Sequence, residues 1–126
     1  MRVLIVDDEA ELRGMLRDWL LPHADAVDLA ASAATAEAMA VAGYDALLID
    51  VLLPDLDGAT LIRRLRKAGV GARIVAMSGG GPGRSALEAL ASAEALGADA
   101  VLFKPFDAAR LLDAVFGTAR SAAAAE

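Results

Sequence analysis

The chain contains no cysteine. That excludes a disulfide framework and any thiolate metal site, and it fits a reducing compartment. There is one histidine, His23, with no second to share a metal; following Pro22, it reads as a surface residue. The net charge is −6 and no basic run occurs. A face that grips nucleic acid needs clustered lysine and arginine, so direct nucleic-acid binding is not expected. Long apolar runs are also missing. Val3-Leu4-Ile5-Val6 is cut off by Asp7-Asp8-Glu9, which is too short for a signal peptide or a membrane span. The expected location is the cytoplasm. Alanine fills roughly a quarter of the chain. It favours helix but builds little core thickness, so part of the 57% hydrophobic content is only small side chains. A length of 126 residues suits one domain with a full core.

What is present is a set of short, wholly apolar runs that each end in a polar residue. Val3-Leu4-Ile5-Val6 ends in Asp7-Asp8, and Ala46-Leu47-Leu48-Ile49 ends in Asp50. Ile74-Val75-Ala76-Met77 ends in Ser78, and Val101-Leu102-Phe103 ends in Lys104. Such runs, separated by helical stretches, read as buried parallel strands. Ala26 to Ala30 is a weaker strand, with Asp28 marking it as an edge. Leu12, Met15, Leu16, Trp19 and Leu20 form one helical stripe, which Pro22 ends. Ser32, Asp57, Ser85 and Asp107 stand where helices would be capped, and Gly43, Gly69 and Gly97 where they would stop. The order is βα five times over residues 1–117, followed by a small-residue tail over 118–126. Asp25, Asp45 and Asp99 fit no motif and read as loop or edge charges.

In an open α/β sheet, ligands bind beyond the carboxyl ends of the strands. Three carboxylates, one hydroxyl and one ammonium would therefore share a single rim. Carboxylates can hold a divalent metal, and a hydroxyl and an ammonium can hold phosphoryl oxygens. The pattern points to phosphoryl transfer centred on Asp50.

The ordered set Asp7-Asp8, Asp50 with Pro54 and Asp57-Gly58, Ser78, and Lys104-Pro105-Phe106 resembles the receiver domain of two-component response regulators, from Arg2 to about Gly117. The resemblance implies a doubly wound α/β fold, flavodoxin-like, with five parallel strands in the order 2-1-3-4-5. It implies that Asp50 accepts a phosphoryl group from the phosphohistidine of a sensor histidine kinase or phosphotransfer protein. Asp8, Asp50 and the Leu52 carbonyl would ligate Mg²⁺, with Asp7 acting through water. Ser78 and Lys104 would each hold a phosphoryl oxygen, and Pro105 would follow a cis peptide. The domain would be a phosphoacceptor that catalyses its own phosphorylation and slow dephosphorylation, not an enzyme acting on another substrate. Because the chain runs from Met1 to just past the fifth helix, its output is expected through a downstream partner protein.

Three positions depart from that family's pattern. Val101 stands where a switching aromatic is usual, Leu52 where many members carry a polar side chain, and Gly80 offers no side chain at all. The signal is therefore expected to leave through the glycine-rich stretch from Gly79 to Gly83 and the helix after it. Two enzyme families offer rival patterns. Asp55-Leu56-Asp57-Gly58 resembles a haloacid-dehalogenase motif, but Pro54 opposes a strand ending at Asp55. Ser78 to Ser85 is a near miss to a P-loop, with arginine where lysine belongs. A non-phosphorylated docking version of the receiver fold would lack Asp50, Asp8 or Lys104, and all three are present.

Overall fold

The computed structural model describes residues 1–79 and 86–117, and for residues 86, 87, 89 and 90 the backbone alone. Five strands, β1 (Arg2–Val6), β2 (Ala26–Ala30), β3 (Ala46–Asp50), β4 (Arg73–Ser78) and β5 (Ala100–Phe103), alternate with five helices. These are α1 (Ala10–Leu20), α2 (Ala33–Ala40), α3 (Gly58–Lys67), α4 (Ala86–Ala95) and α5 (Ala108–Phe116). All pairings are parallel and the sheet order is β2-β1-β3-β4-β5, as the sequence led us to expect.

The alternation of side chains along each strand divides the core in two. Leu4, Val6, Leu47, Ile49, Ile74 and Ala76 face α2, α3 and α4, where Ala33, Ala36, Leu61, Ile62 and Leu65 meet them. Val3, Ile5, Leu48, Val75 and Met77 face α1 and α5, against Leu16, Leu20, Leu111 and Val115. Burying each of the larger aliphatic side chains contributes roughly 1.5–3 kcal/mol. Both faces of the central strands are covered, which explains why their sequences are apolar without alternation. Alanines dominate the α2 contact: its buried residues are Ala33, Ala36 and Ala40, with Met39 packed beside them.

The rim at the amino ends of the strands is tied together by bonds between distant residues. The Asp45 carboxylate accepts from the Arg2 amide at 2.6 Å. Asp99 accepts from the Ile74 amide and from the Arg66 guanidinium, both at 2.8 Å. Asp25 pairs with the N-terminal ammonium. Asp28 accepts from the Tyr44 hydroxyl at 2.6 Å on the edge strand β2. The three acids that fitted no motif thus hold strand starts in place.

Most helix signals hold. Ser32 caps α2 through the Thr35 amide, Asp57 caps α3 through the Ala59 amide, and Asp107 caps α5 through the Arg110 amide. Some details differ. Pro22 does not simply end α1; it lies in a 3₁₀ turn over Leu21–His23 that continues the helix, since proline is tolerated in a first turn. Met15, counted on the buried stripe, is exposed. The β5 run is less buried than its composition suggests: it is a sheet edge, and Phe103 is 48% exposed. The expectations for Gly80 to Gly83, for a Ser85 cap and for the tail from residue 118 lie outside the described residues.

Gly58 opens α3 directly against the end of β3. A Cβ there would sit 2.4 Å from the Asp50 carbonyl oxygen and 2.5 Å from the Val51 Cα. The Gly58 amide also donates to the Val51 carbonyl at 2.9 Å. Gly58→Ala should therefore force α3 away from the strand and lower stability by about 1–3 kcal/mol, the usual penalty of overpacking. Urea unfolding of the two proteins measures this, and equal midpoints would refute it.

Candidate phosphoryl-transfer site

Four of the strands deliver polar side chains to the rim opposite the closed one. Asp7 follows β1 and is fully buried; Asp50 ends β3 at 5% exposure; Ser78 ends β4 at 1% exposure. Lys104 follows β5, with its amide bonded to the Ser78 carbonyl at 2.9 Å. Asp8 is the exposed member of the group. Ser78 is one residue beyond Met77, the register partner of Asp50.

The two buried acids are held in the same way. Asp7 Oδ1 accepts from the Glu9 amide and Asp50 Oδ1 from the Leu52 amide, each at 2.8 Å and two residues on. This is the local turn that aspartate forms readily. Both second oxygens are then free to meet Lys104. Its Nζ donates to Asp50 Oδ2 at 2.7 Å and to Asp7 Oδ2 at 3.2 Å. The lysine follows a strand end and precedes a cis peptide to Pro105, as expected.

One ammonium therefore serves two buried carboxylates. Burial raises the Asp50 carboxyl above its ordinary value; the bond from Lys104 and the Leu52 amide oppose this, and the Asp7 charge adds to it. For Lys104, burial acts to lower the value, but the bonds and charges of Asp50 and Asp7 outweigh it and the net shift is upward. The lysine is held in its charged form, while burial disfavours the Asp50 carboxylate as an anion.

Asp7, Asp8 and Asp50 each offer one carboxylate oxygen, and these lie within 4.8 Å of one another. Hard oxygen donors in this number suit a small divalent cation that keeps several of its waters. The exposed Asp8 leaves space for them. Leu52, 48% exposed in the β3–α3 loop, is bridged to Asp57 and stands beside this group.

Some contributors were not legible beforehand. Arg13 of α1 donates to the Asp7 carbonyl at 2.7 Å and so steadies the acidic turn. Asp55 places its carboxylate on the first amides of α2, at 3.0 Å from both Ala33 and Ala34 nitrogens. It ends no strand, and the dehalogenase-like arrangement is absent. Much of the P-loop-like segment lies outside the described residues.

The chain belongs to the response-regulator receiver domain family, whose pattern matches residues 3–116. It is 35% identical over 125 residues to the transcriptional regulatory protein CusR of Escherichia coli, covering 98% of this chain and 53% of CusR. The chain thus spans about half the length of that relative. It is 32% identical to the chemotaxis protein CheY of Bacillus subtilis, covering 90% of this chain and 93% of CheY. Among solved structures, a CheY-like receiver from Methanospirillum hungatei matches at TM-score 0.77 and 28% identity, covering 89% and 87% of the two chains. The NtrX receiver domain of Brucella abortus matches at TM-score 0.78 and 29% identity, covering 87% and 91%. The fold and family expected from the motifs are those found, and receiver domains are signalling domains.

The electrostatics make a test that needs no phosphate. The Asp50 carboxyl is raised in the folded state, so the folded chain holds that proton to higher pH than the unfolded chain does. Its contribution to stability is therefore most favourable in acid and declines as pH rises through the raised value. Asp50→Asn should melt higher than the parent at neutral pH, and the difference should shrink toward pH 3. A variant less stable than the parent at pH 7 would contradict the assigned strain.

Proposed function

We propose that this domain accepts a phosphoryl group on Asp50 from a phosphohistidine and passes the signal to a partner protein by changing conformation. The observation that carries the reading is the Lys104 ammonium shared between Asp50 and Asp7 at the strand ends. An oxygen of Asp50 attacks phosphorus, the phosphorus–nitrogen bond breaks, and the released imidazole recovers a proton from solvent. Lys104 then follows the new charge onto a phosphoryl oxygen, as a compact mobile cation can. The Ser78 hydroxyl donates to another. Asp8, Asp50 and the Leu52 carbonyl would hold Mg²⁺, with Asp7 acting through water. A bound magnesium ion supplies positive charge against the phosphoryl oxygens. The chain's own part is positioning: both carboxylates are fixed through Oδ1, and the pocket is set before the donor arrives.

The donor is a sensor histidine kinase or a histidine phosphotransfer protein, and the output goes to a downstream protein. An apolar hollow of about 300 Å³, lined by Leu12, Met15, Pro105 and Phe106, borders Lys104 and offers a donor protein a place to rest beside the acceptor. Full-length relatives such as CusR are transcriptional regulators by name; that output belongs to them.

Acetyl phosphate with Mg²⁺ should phosphorylate the protein, and chelation or Asp50→Asn should abolish uptake. Intact-mass measurement and acid–base lability of the adduct report it. An Asp50→Asn protein that takes up one labile phosphate with unchanged yield would overturn the assignment.

The phosphorylated state should be long-lived. Hydrolysis needs a water held in line with phosphorus, and Leu52, exposed two residues after Asp50, has no polar side-chain group to hold one. Leu52→Asn should shorten the lifetime several-fold, by order-of-magnitude reasoning from a single positioned hydrogen bond. An unchanged decay rate would remove the water-placement argument.

A further inference from the structure

Among the described residues Asp55 has no charge partner, and it ends no strand, yet both of its carboxylate oxygens are used. They accept from the Ala33 and Ala34 amides at 3.0 Å each. The next two amides of α2 are held by Ser32, Thr35 through the hydroxyl at 3.3 Å and Ala36 through the carbonyl at 3.1 Å. Ala36 thereby makes the first regular bond of the helix, and three of the four amides that a helix start leaves open, those of Ala33, Ala34 and Thr35, are held by side chains. Two of them are satisfied by a side chain from another loop, the one that leaves Asp50.

The same stretch touches the other half of the pocket. The Asp7 amide donates to the Ala30 carbonyl at 3.1 Å. Residues 30–34 therefore bond to the turn carrying Asp7 and Asp8 at one end and to the loop carrying Leu52 at the other. That loop is pinned near Asp50 by the Leu52–Asp57 bridge and the Gly58-to-Val51 bond. Farther out, Leu53 and Leu56 pack on the core and Asp55 supplies the polar tie.

We propose that Asp55 is a positioning residue: by clamping the β3–α3 loop to the start of α2, it sets the spacing between the two halves of the cation pocket. This rests on the phosphoacceptor reading of the site. Without the clamp, the loop keeps its own bonds to Asp50 and Asp57 but loses its tie to α2, so its half of the pocket shifts relative to Asp8 while every reacting group remains present.

The test compares Asp55→Ala, Asp55→Asn and Ser32→Ala with the parent. Ser32→Ala also uncaps α2, but leaves the loop tie intact. Mg²⁺ binding by titration calorimetry, and phosphorylation rate with acetyl phosphate at saturating Mg²⁺, are read well below each melting temperature. Partners bonded directly to a metal ligand change affinity by about 10–100-fold. One step farther out, Asp55→Ala should weaken Mg²⁺ binding roughly fivefold on that scale. Asp55→Asn keeps one acceptor and should fall between, and Ser32→Ala should bind as the parent does although its melting temperature drops. Equal weakening in Ser32→Ala and Asp55→Ala would overturn the proposal, because the effect would then be helix stability alone. Unchanged binding and rate in both Asp55 variants would overturn it too. A parent that binds no Mg²⁺ and takes up no phosphate would instead defeat the reading of the site itself.

Discussion

Two buried carboxylates share one ammonium, and that imbalance shapes the site. Asp7 and Asp50 are removed from water and turned toward Lys104, which can neutralise only one of them. A buried charge without a full partner is costly. The fold tolerates it because each acid also accepts a backbone amide from its own turn. What remains is a net negative charge with open oxygens, next to the exposed carboxylate of Asp8. Excess negative charge of this kind is what an arriving cation would offset.

Topology makes the imbalance possible without loss of the fold. Parallel strands deliver their carboxyl ends to one rim, so residues far apart in sequence meet there; Lys104 and Asp7 are separated by 97 positions. Helices cover both faces, which leaves the strand ends as the only place where polar chemistry can gather. Gly58 allows the tightest approach, with α3 starting against the backbone of Asp50 itself.

The sheet and its order were legible because each central strand is apolar throughout and each ends in a polar residue. Asp7 and Asp8, Asp50, Ser78 and Lys104 could all be placed at strand ends by that one rule. The caps of α2, α3 and α5 were legible because Ser32, Asp57 and Asp107 act on amides two or three residues away. Contacts set by tertiary packing were not. Asp99 reads as a loose charge until Arg66 and Ile74 are seen around it. Asp55 sits in a segment that imitates another family's motif, and its true partners are more than twenty residues earlier in the chain. Phe103 resembles its buried neighbours in composition, but only the sheet order reveals that β5 is an edge.

The two ends of the sheet are furnished with the same residue type to opposite effect. Asp25, Asp45 and Asp99 at the amino rim are engaged by amides, an arginine and the terminal ammonium, residues distant in sequence that meet there. Asp7, Asp8 and Asp50 at the other rim are left with more acceptors than donors. The registers of the strands are therefore anchored at the end where no chemistry occurs. Whatever exchange of partners takes place among the remaining acids, a proton, a metal ion or a phosphoryl group, it does so on a frame whose alignment was settled elsewhere.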